Sequence, residues 1–346
     1  ARVRSGRAAV QRVNADKQGA SGGEFSMNMR FIDLHCDTMT RKGGTPLAEW
    51  TGHVTPEKLR RGGALAQCFA LYILTREPAL RRPDDLPPHA VFDRYYETYR
   101  QELNIHAEDM ASACSVSEIA GNARRGLISS ILTVEDAVAL EGRLSSLDEW
   151  YAKGVRMATL LWNYENELGF PHSRDPERMG RGLKAFGKDV VRRMNELGMI
   201  IDVSHLSDGG VRDVAKLSRQ PFVASHSCAR ALCDHSRCLS DELLRLIAER
   251  GGVIGLNFFG IFLREGSEVT LIEDIVRHAL HIRDKAGMEA LAFGSDFDGI
   301  SSRLEFGDYA GMPRLAAALE KHFTPREMEK FCSGNALRVM REVWGK

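Results

Sequence analysis

The 346-residue chain carries 47 basic and 47 acidic side chains, so its formal net charge is +0, and 43% of its residues are hydrophobic. This length and composition predict a globular protein with a sizeable core, in one large domain or two average ones. The balanced charge offers no attraction for nucleic acid or an acidic membrane surface, and no apolar run reaches the length of a membrane span. We therefore expect neither a nucleic-acid nor a membrane partner.

The seven cysteines are scattered along the chain and include no C-x-x-C pair. An odd number without metal-site spacing argues against a disulfide framework and against a cysteine-based zinc knuckle. A reducing, cytoplasmic location fits this cysteine usage best.

Residues 1–27 are basic and polar, contain glycine and serine, and lack the apolar core of a signal peptide. We interpret them as a disordered leader or a tail added by cloning. Residues 28–346 show no linker or shift in composition, and we expect them to form a single domain.

Strand and helix patterns begin directly after this tail. A short apolar strand is predicted at residues 31–34, followed by a helix that Thr55 caps, Pro56 opens and Gly62-Gly63 ends. A second strand is predicted at residues 64–73. A long amphipathic helix follows at residues 89–113, and a capping box, Ser115-x-x-Glu118, begins the next helix.

From residue 127 onward, apolar strands and helices alternate regularly. The strands are predicted at residues 127–134, 155–161, 199–204, 222–225, 252–258 and 291–295. The helices are predicted at residues 147–152, 182–197, 208–217, 240–250, 271–286, 313–322 and 325–344.

Eight short apolar strands, each followed by a helix, are typical of a parallel sheet covered on both faces. Eight such units in one domain predict an α/β fold of the (β/α)8 or TIM-barrel type. An open doubly wound sheet is the alternative. It would usually have a glycine-rich phosphate loop after the first strand, and Gly43-Gly44 does not match that fingerprint.

Ionisable residues follow five of the predicted strands. They are His35 and Asp37 after the first strand, Glu135 after the third, His205 after the fifth, His226 after the sixth and Asp296 after the eighth. Active sites of such barrels lie at the carboxyl ends of the strands, so all six side chains are expected on one rim. Each alone could be a cap or a satisfied core residue. Together they would need a compensating cation, which favours a site.

The residue types in this set are those of a metal site. Imidazole and carboxylate ligands favour zinc, with manganese or cobalt as substitutes, and two histidines plus His-x-Asp plus a bridging glutamate suit two ions. Two metal ions can hold a hydroxide nucleophile and polarise a carbonyl. Asp296 could take the proton from the water and pass it to a leaving nitrogen. The pattern therefore predicts hydrolysis of an amide.

Several segments resemble the zinc dipeptidases of the renal (membrane) dipeptidase family, including its bacterial members. They are IDLHCDT at 32–38, VED at 134–136, IDVSH at 201–205, ASHS at 224–227, RALCDHSR at 230–237, GSDFDG at 294–299 and GNALRV at 334–339. As a set these segments are specific, and they span nearly the whole predicted domain.

The resemblance implies a metal-dependent dipeptidase that acts on dipeptides, tolerates a D-residue at the C-terminal position and forms a homodimer. It implies the following roles: His35 and Asp37 hold one zinc, His205 and His226 hold the other, Glu135 bridges them, Asp296 is the acid/base and Arg237 binds the substrate's C-terminal carboxylate. The planar fork of arginine suits that last role because it grips a carboxylate through two hydrogen bonds.

One position departs from the family pattern. Many members have a histidine just after the fourth strand that is thought to steady the tetrahedral intermediate, and Trp162 stands there in this chain. Asn163 or Asn166 could donate a hydrogen bond to an oxyanion instead, and His172 is a weaker substitute. Trp162 itself is expected either to form a wall of the substrate pocket or to pack in the core.

Two other functions remain open at this point. The protein could be an amidohydrolase that acts on another amide, a lactam or an ester. It could also be a catalytically silent metal-binding scaffold, although the complete set of candidate ligands argues against that.

Overall fold

The computed structural model describes residues 29–73 and 86–345, so the stretch interpreted as a leader or tail lies outside the described residues. Eleven strands occur within the described part of the chain. They are β1 (Phe31–Cys36), β2 (Ala64–Tyr72), β3 (Met110–Ser112), β4 (Ile128–Glu135), β5 (Val155–Thr159), β6 (Ile200–Asp202), β7 (Val223–Ser227), β8 (Val253–Leu256), β9 (Val269–Thr270), β10 (Leu291–Phe293) and β11 (Arg303–Leu304).

Eight of these strands form a closed parallel barrel. They are hydrogen-bonded in the order β2-β1-β10-β8-β7-β6-β5-β4, and β4 pairs again with β2 to close the ring. The predicted (β/α)8 barrel in a single domain is confirmed. Strand β3 pairs with β4 outside the ring, and β9 and β11 form a separate two-stranded sheet.

Helices connect the strands and surround the barrel. Among the described residues they are α1 (Thr38–Arg41), α2 (Pro56–Arg61), α3 (Pro88–Ile105), α4 (Val116–Arg124), α5 (Ser145–Ala152), α6 (Pro176–Met179), α7 (Ala185–Leu197), α8 (Asp208–Leu217), α9 (Asp241–Glu249), α10 (Gly260–Leu263), α11 (Ile272–Ala286), α12 (Met312–Leu319), α13 (Pro325–Glu329) and α14 (Asn335–Trp344). None of these described helices is both long and apolar enough to cross a membrane.

Capping residues set several helix ends as the sequence predicts. The Thr55 side chain accepts the Lys58 N–H at the start of α2, and Ser115 accepts the Glu118 N–H at the start of α4. In a capping box, Glu118 would accept the N–H of Ser115. Its carboxylate instead accepts the N–H of Cys114, one residue earlier in the chain.

Two predicted helices are wrong in extent. The helix predicted at 89–113 ends at Ile105, and Met110–Ser112 instead pairs with β4 as strand β3. Backbone hydrogen bonds to the first residues of β4 stabilise this stretch as a strand and outweigh its helical pattern. The helix predicted at 325–344 is interrupted by a π-helical turn at Lys330–Gly334.

Helix α14 lies across the end of the barrel at which the strands begin. It packs against β6, β8 and β10, and Arg338 Nη1 donates to the carbonyl of Gly251, in the turn that precedes β8. Gly198, in the turn that precedes β6, has φ 71°, and a Cβ there would lie 2.8 Å from the Val343 carbonyl oxygen. A side chain at this position would collide with the helix, so glycine is required. The opposite end of the barrel, where the strands end, is not covered by this helix.

Candidate metal centre and active site

The ends of β1, β4 and β7 bring three candidate ligands together in the barrel mouth. His35 lies in β1, Glu135 is the last residue of β4, and His226 lies in β7. Asp37 and His205 follow β1 and β6 in the adjoining loops. All five are buried, with at most 8% of any of them exposed. Buried ionisable groups gathered at one point are costly unless they compensate one another or hold a cation.

Glu135 stands between two sets of partners. Its Oε2 lies 3.7 Å from His35 Nε2, and His35 Nε2 lies 3.5 Å from Asp37 Oδ1. Its Oε1 lies 3.0 Å from His205 Nε2 and 3.4 Å from His226 Nε2. The two imidazole nitrogens are themselves 2.9 Å apart. Each carboxylate oxygen of Glu135 therefore faces a different pair of side chains.

Three groups of side chains among the described residues have ligand atoms close enough for one metal ion, all within 4.8 Å of one another. They are His35, Asp37 and Glu135; Glu135, His205 and His226; and His35, His226 and Asp296. Within the described part of the chain, His35 Nε2 and Asp37 Oδ1 are buried and have no hydrogen-bond partner. Such atoms are expected to bind something, and nitrogen and oxygen donors of this kind suit a divalent metal.

The electrostatics of the cluster show that it requires positive charge. Burial disfavours protonation of His35, but the adjacent Glu135 and Asp37 carboxylates outweigh burial and raise its pKa to about 10. Burial raises the pKa of Glu135 well above its usual range, and His35 opposes this. Burial lowers the pKa of His205 and of His226. The carboxylates thus need a neighbouring cation, either a proton on His35 or a metal ion.

Two site residues have an unusual backbone conformation. His205 has φ 69° and Asp296 has φ 62°, in the left-handed region that side chains other than glycine rarely adopt. The backbone is held there by neighbours, since Asp296 N donates to the His35 carbonyl and His172 N donates to the His205 carbonyl. Strain of this kind, of about 1–3 kcal/mol per residue, is typical of functional sites.

Two buried aspartates hold the strand ends in the same way. Asp202 in β6 accepts the N–H and the Oγ–H of Ser225, at 2.8 and 2.5 Å. Asp33 in β1 accepts the N–H and the Oγ–H of Ser295, at 2.8 and 2.6 Å. We call these pairs the two Asp–Ser clamps. The residue after each clamped serine is a candidate site residue, His226 in one case and Asp296 in the other. The clamps therefore fix the backbone position of these two residues.

A cavity of about 380 Å³ opens above the cluster. Asp37, Glu135, His205, His226 and Asp296 line its floor side. Seven further lining residues were not predicted from the sequence: Arg41, Tyr72, His235, Phe259, Ile261, Phe262 and Gly299. The cavity therefore joins a polar, metal-competent part to an aromatic wall, and its size suits a small ligand.

Comparison with known proteins identifies the family. The pattern of the family described as membrane dipeptidase, peptidase family M19, matches residues 24–344. The chain belongs to this family. It is a metallo-dipeptidase, a metal-dependent enzyme that hydrolyses the peptide bond of dipeptides.

Individual relatives agree over most of their length. The dipeptidase tcpJ of Claviceps purpurea is 28% identical over 319 residues, which are 91% of this chain and 75% of that protein. The crystal structure of the dipeptidase AC, of family M19, has a TM-score of 0.84 and 28% identity, covering 92% of this chain and 99% of the other. A metallopeptidase from Rhodobacter sphaeroides, liganded with a phosphinate mimic of the dipeptide L-Ala-D-Ala, has a TM-score of 0.82 and 28% identity, covering 91% and 99%.

In this dipeptidase Trp162 lines the cavity and is half-exposed rather than packed in the core. Its ring lies 4.9 Å from that of Tyr72 and 6.1 Å from that of His205, centroid to centroid. The structure therefore gives Trp162 the position of a pocket wall.

The three polar residues considered as replacements for the family histidine lie in different places. Asn163 lines the cavity, and its Oδ1 lies 2.8 Å from His205 Nδ1 and 3.1 Å from His172 Nε2. His172 also lines the cavity. Asn166 is buried and donates to Asp136 and to the Leu160 carbonyl, so its amide is not directed to the substrate.

Arg237 is buried beside the centre, but it is not among the residues that line the cavity. Its Nη1 donates to Ser227 Oγ and its Nη2 to the His226 carbonyl, both at 2.8 Å. Its Nε is buried without a hydrogen-bond partner among the described residues. The guanidinium is thus anchored to β7 through Nη1 and Nη2, and its Nε–H remains available.

Asp298 and Arg230, which lie near Asp296 and Arg237 in the sequence and are the alternatives to them, have structural partners instead. Asp298 accepts hydrogen bonds from Thr38 Oγ1, Trp50 Nε1 and the His53 N–H, which ties the last barrel loop to the first. Arg230 forms a two-point ion pair with Asp208, at 2.7 and 2.8 Å.

Asn257 is a site residue that was not predicted from the sequence. It directly follows β8, and its Nδ2 donates to Asp296 Oδ2 at 2.9 Å. Burial raises the pKa of Asp296 to about 6, and His35 opposes this. The available signal was a polar residue at the end of the seventh predicted strand, the same rule that located the other site residues.

Proposed function

We propose that the dipeptidase binds two zinc ions, one held by His35 and Asp37 and the other by His205 and His226, with Glu135 bridging them. The observation that carries this proposal is the placement of Glu135, whose two oxygens face two separate pairs of ligand atoms. The unpartnered His35 Nε2 and Asp37 Oδ1 support the first site. Imidazole and carboxylate donors favour zinc, with manganese or cobalt as substitutes.

When bound, the metal ions supply a water of lowered pKa and polarise the scissile carbonyl. The chain's own groups then handle the proton and the substrate. Asn257 holds Asp296 Oδ2, which leaves Oδ1 to accept a proton from the water and to deliver it to the leaving nitrogen. A Cβ at Gly299 would lie 2.2 Å from Asp296 Oδ1, so glycine keeps this atom accessible.

Three residues contact the substrate in this proposal. The Nε–H of Arg237, which has no hydrogen-bond partner among the described residues, donates to the C-terminal carboxylate, and Trp162 forms one wall beside the metal centre. The Oδ1 of Asn163 contacts the rings of His172 and His205, so its amide NH2 is the group that can donate a hydrogen bond to the oxyanion. A clamp on the free carboxylate limits the substrate to two residues.

We infer that dipeptides with a D-residue at the C-terminal position are included among the substrates. The relative from Rhodobacter sphaeroides, bound to a mimic of L-Ala-D-Ala, supports this. Turnover of a matrix of L,L and L,D dipeptides by the zinc-reconstituted enzyme tests it. Preferential hydrolysis of another amide, a lactam or an ester would replace the dipeptide assignment with a broader amidohydrolase.

The metal-site proposal predicts that His205→Ala abolishes hydrolysis while the fold is retained, because one zinc loses a ligand beside the bridge. Steady-state kinetics and the metal content of the purified protein measure this. His322→Ala, at an exposed histidine outside the site, is the control and should keep full activity. Full activity in His205→Ala, or a protein that binds no metal and hydrolyses no dipeptide, would contradict the proposal.

Two further parts concern the protein in the cell. We infer a cytoplasmic location, supported by the seven cysteines, all of which are unpaired in the structure. We infer a homodimer from the family resemblance alone, and sedimentation analysis tests it.

A further inference from the structure

The imidazole of His226 is attached to a buried hydrogen-bond chain. Its Nδ1 lies 2.7 Å from Ser225 Oγ, and Ser225 Oγ lies 2.5 Å from Asp202 Oδ2. Asp202 also accepts hydrogen bonds from Thr159 Oγ1 and the Ser204 N–H. All of these side chains are at most 2% exposed.

The groups in this hydrogen-bond chain permit only one arrangement of their hydrogen atoms. A carboxylate only accepts, so the Ser225 hydroxyl hydrogen points to Asp202 and a lone pair of Oγ faces His226. His226 Nδ1 must then carry a hydrogen, which it donates to Ser225. The other nitrogen, Nε2, is left bare, and it points at Glu135 and His205.

His205 has the same orientation through a different partner. Its Nδ1 lies 2.8 Å from Asn163 Oδ1, and that oxygen also lies 3.1 Å from His172 Nε2. An amide oxygen has two lone pairs and can accept from both rings. The opposite orientation of the amide would place N–H groups against both rings. It would force a hydrogen onto His205 Nε2, which could then not bind a metal.

We propose that Ser225 and Asn163 are positioning residues of the metal centre, each accepting the Nδ1–H of one histidine so that both bare Nε2 atoms face the same point. Asp202 keeps Ser225 in this role. The proposal rests on the proposed metal-binding role of His205 and His226. Partners that hold the far nitrogen of a ligating histidine set its tautomer and its ring orientation.

The two Asp–Ser clamps provide a matched pair of variants for Ser225. Ser225→Ala and Ser295→Ala each remove a buried serine hydroxyl from an aspartate, but only Ser225 touches an imidazole nitrogen among the described residues. We expect Ser225→Ala to weaken Zn²⁺ binding about 10- to 100-fold, in competition with a chelating dye, and Ser295→Ala to leave it within about threefold of wild type. Similar thermal stability of the two metal-free variants would exclude a general loss of folding.

Asn163 offers a second test that does not depend on a buried substitution. Asn163→Ala removes the acceptor and should weaken Zn²⁺ binding about 10-fold, whereas Asn163→Asp keeps an oxygen at the same place and should restore it. The visible absorption spectrum of the Co²⁺-loaded protein provides an independent readout. It should change with Asn163→Ala and return toward wild type with Asn163→Asp.

The outcomes separate this inference from the function on which it rests. If His205→Ala does not weaken Zn²⁺ binding, the metal-site proposal itself fails. If His205→Ala weakens binding but Ser225→Ala and Asn163→Ala bind Zn²⁺ as wild type does, only the positioning roles are overturned. Equal loss of affinity in Ser225→Ala and Ser295→Ala would likewise overturn the role of Ser225, because it would show a general effect of the clamps.

Discussion

Arg237 shows how a single side chain can be committed to the fold and still have a free donor. Two of its nitrogens donate to Ser227 and to the His226 carbonyl, whereas Nε has no partner among the described residues. A buried cation with an unused N–H beside a metal-competent cluster is suited to an anionic group of the substrate.

We predict that Arg237→Ala raises KM for dipeptides about 10- to 100-fold, because a charge-assisted hydrogen bond contributes about 1.5–3 kcal/mol. Steady-state kinetics with a dipeptide and with its C-terminal amide measure the effect. Wild type should bind the amide more weakly than the dipeptide, and the variant should no longer distinguish them. An unchanged preference for the free carboxylate in Arg237→Ala would exclude this role.

At the scale of single residues, the sequence identifies candidate site residues by their position at strand ends, because the parallel strands of a barrel end on one rim. His35, Glu135 and His226 are found in this way, and the structure places them within a few ångströms of one another. Asn257 also follows a strand, but it and Ser225 are not ionisable and so do not stand out as candidates. Their contribution lies in hydrogen bonds to other side chains, and polar residues of these types occur throughout the chain.

At the scale of elements, helix α11 is fixed to the barrel loops through a buried histidine. His278 Nδ1 accepts the Ala229 N–H, and Nε2 donates to the Leu263 carbonyl at 2.9 Å. Burial lowers the pKa of His278 from 6.5 to about 4, and the bond to Leu263 opposes this. The helix is thus joined to the loop after β7 and to the end of α10.

This histidine predicts a stability that depends on pH. Between pH 6.5 and 4 the unfolded chain binds a proton at this residue and the folded chain does not, so the free energy of unfolding falls as the pH falls through that window. The contribution is at most on the order of 3 kcal/mol, since one pKa unit corresponds to about 1.4 kcal/mol. His278→Gln should be less stable than wild type at pH 7.5 and should lose less stability on acidification.

Thermal unfolding midpoints of both proteins across this pH range, in the presence of a chelator, measure the difference. His281→Gln is the matched control on the same helix, because its imidazole is only half-buried and contacts Asp241. Parallel pH profiles for wild type and His278→Gln would argue against the assignment.

Element boundaries were the least predictable part of the fold. Capping residues such as Thr55 and Ser115 act locally, so their helices begin where the sequence indicates. The stretch Met110–Ser112 becomes a strand only because the edge of β4 lies beside it. That contact comes from the folded barrel and is not recorded in any local pattern.

At the scale of the whole molecule, the metal centre joins strands from several parts of the ring. Its candidate ligands come from β1, β4, β7 and the loop after β6, so a bound ion would link parts of the chain that are distant in sequence. Without it, the positive charge that offsets the desolvation of the buried carboxylates must come from a proton on His35.

We predict that removal of the metal lowers the thermal unfolding midpoint of the protein and that zinc restores it. A metal that binds only the folded state, present at 100 times its dissociation constant, adds about 2.7 kcal/mol to the free energy of unfolding per site. Calorimetry with and without chelator measures this, and His205→Ala should show a smaller response. A wild-type midpoint that is unchanged by the chelator would show that the ion has no part in stability.

Helix α14 also bears on how the protein is made. It closes the end of the barrel where the strands begin, with Ala336, Val339, Met340 and Val343 packed against strand residues such as Ile200 and Val253. These contacts belong to a segment that follows all eight barrel strands in the chain. During synthesis the ribosome delivers that segment after the strands, so the apolar lower end of a newly assembled barrel stays uncovered until α14 emerges. We therefore expect a chain that lacks α14 to expose apolar surface and to be prone to aggregation until this helix is added.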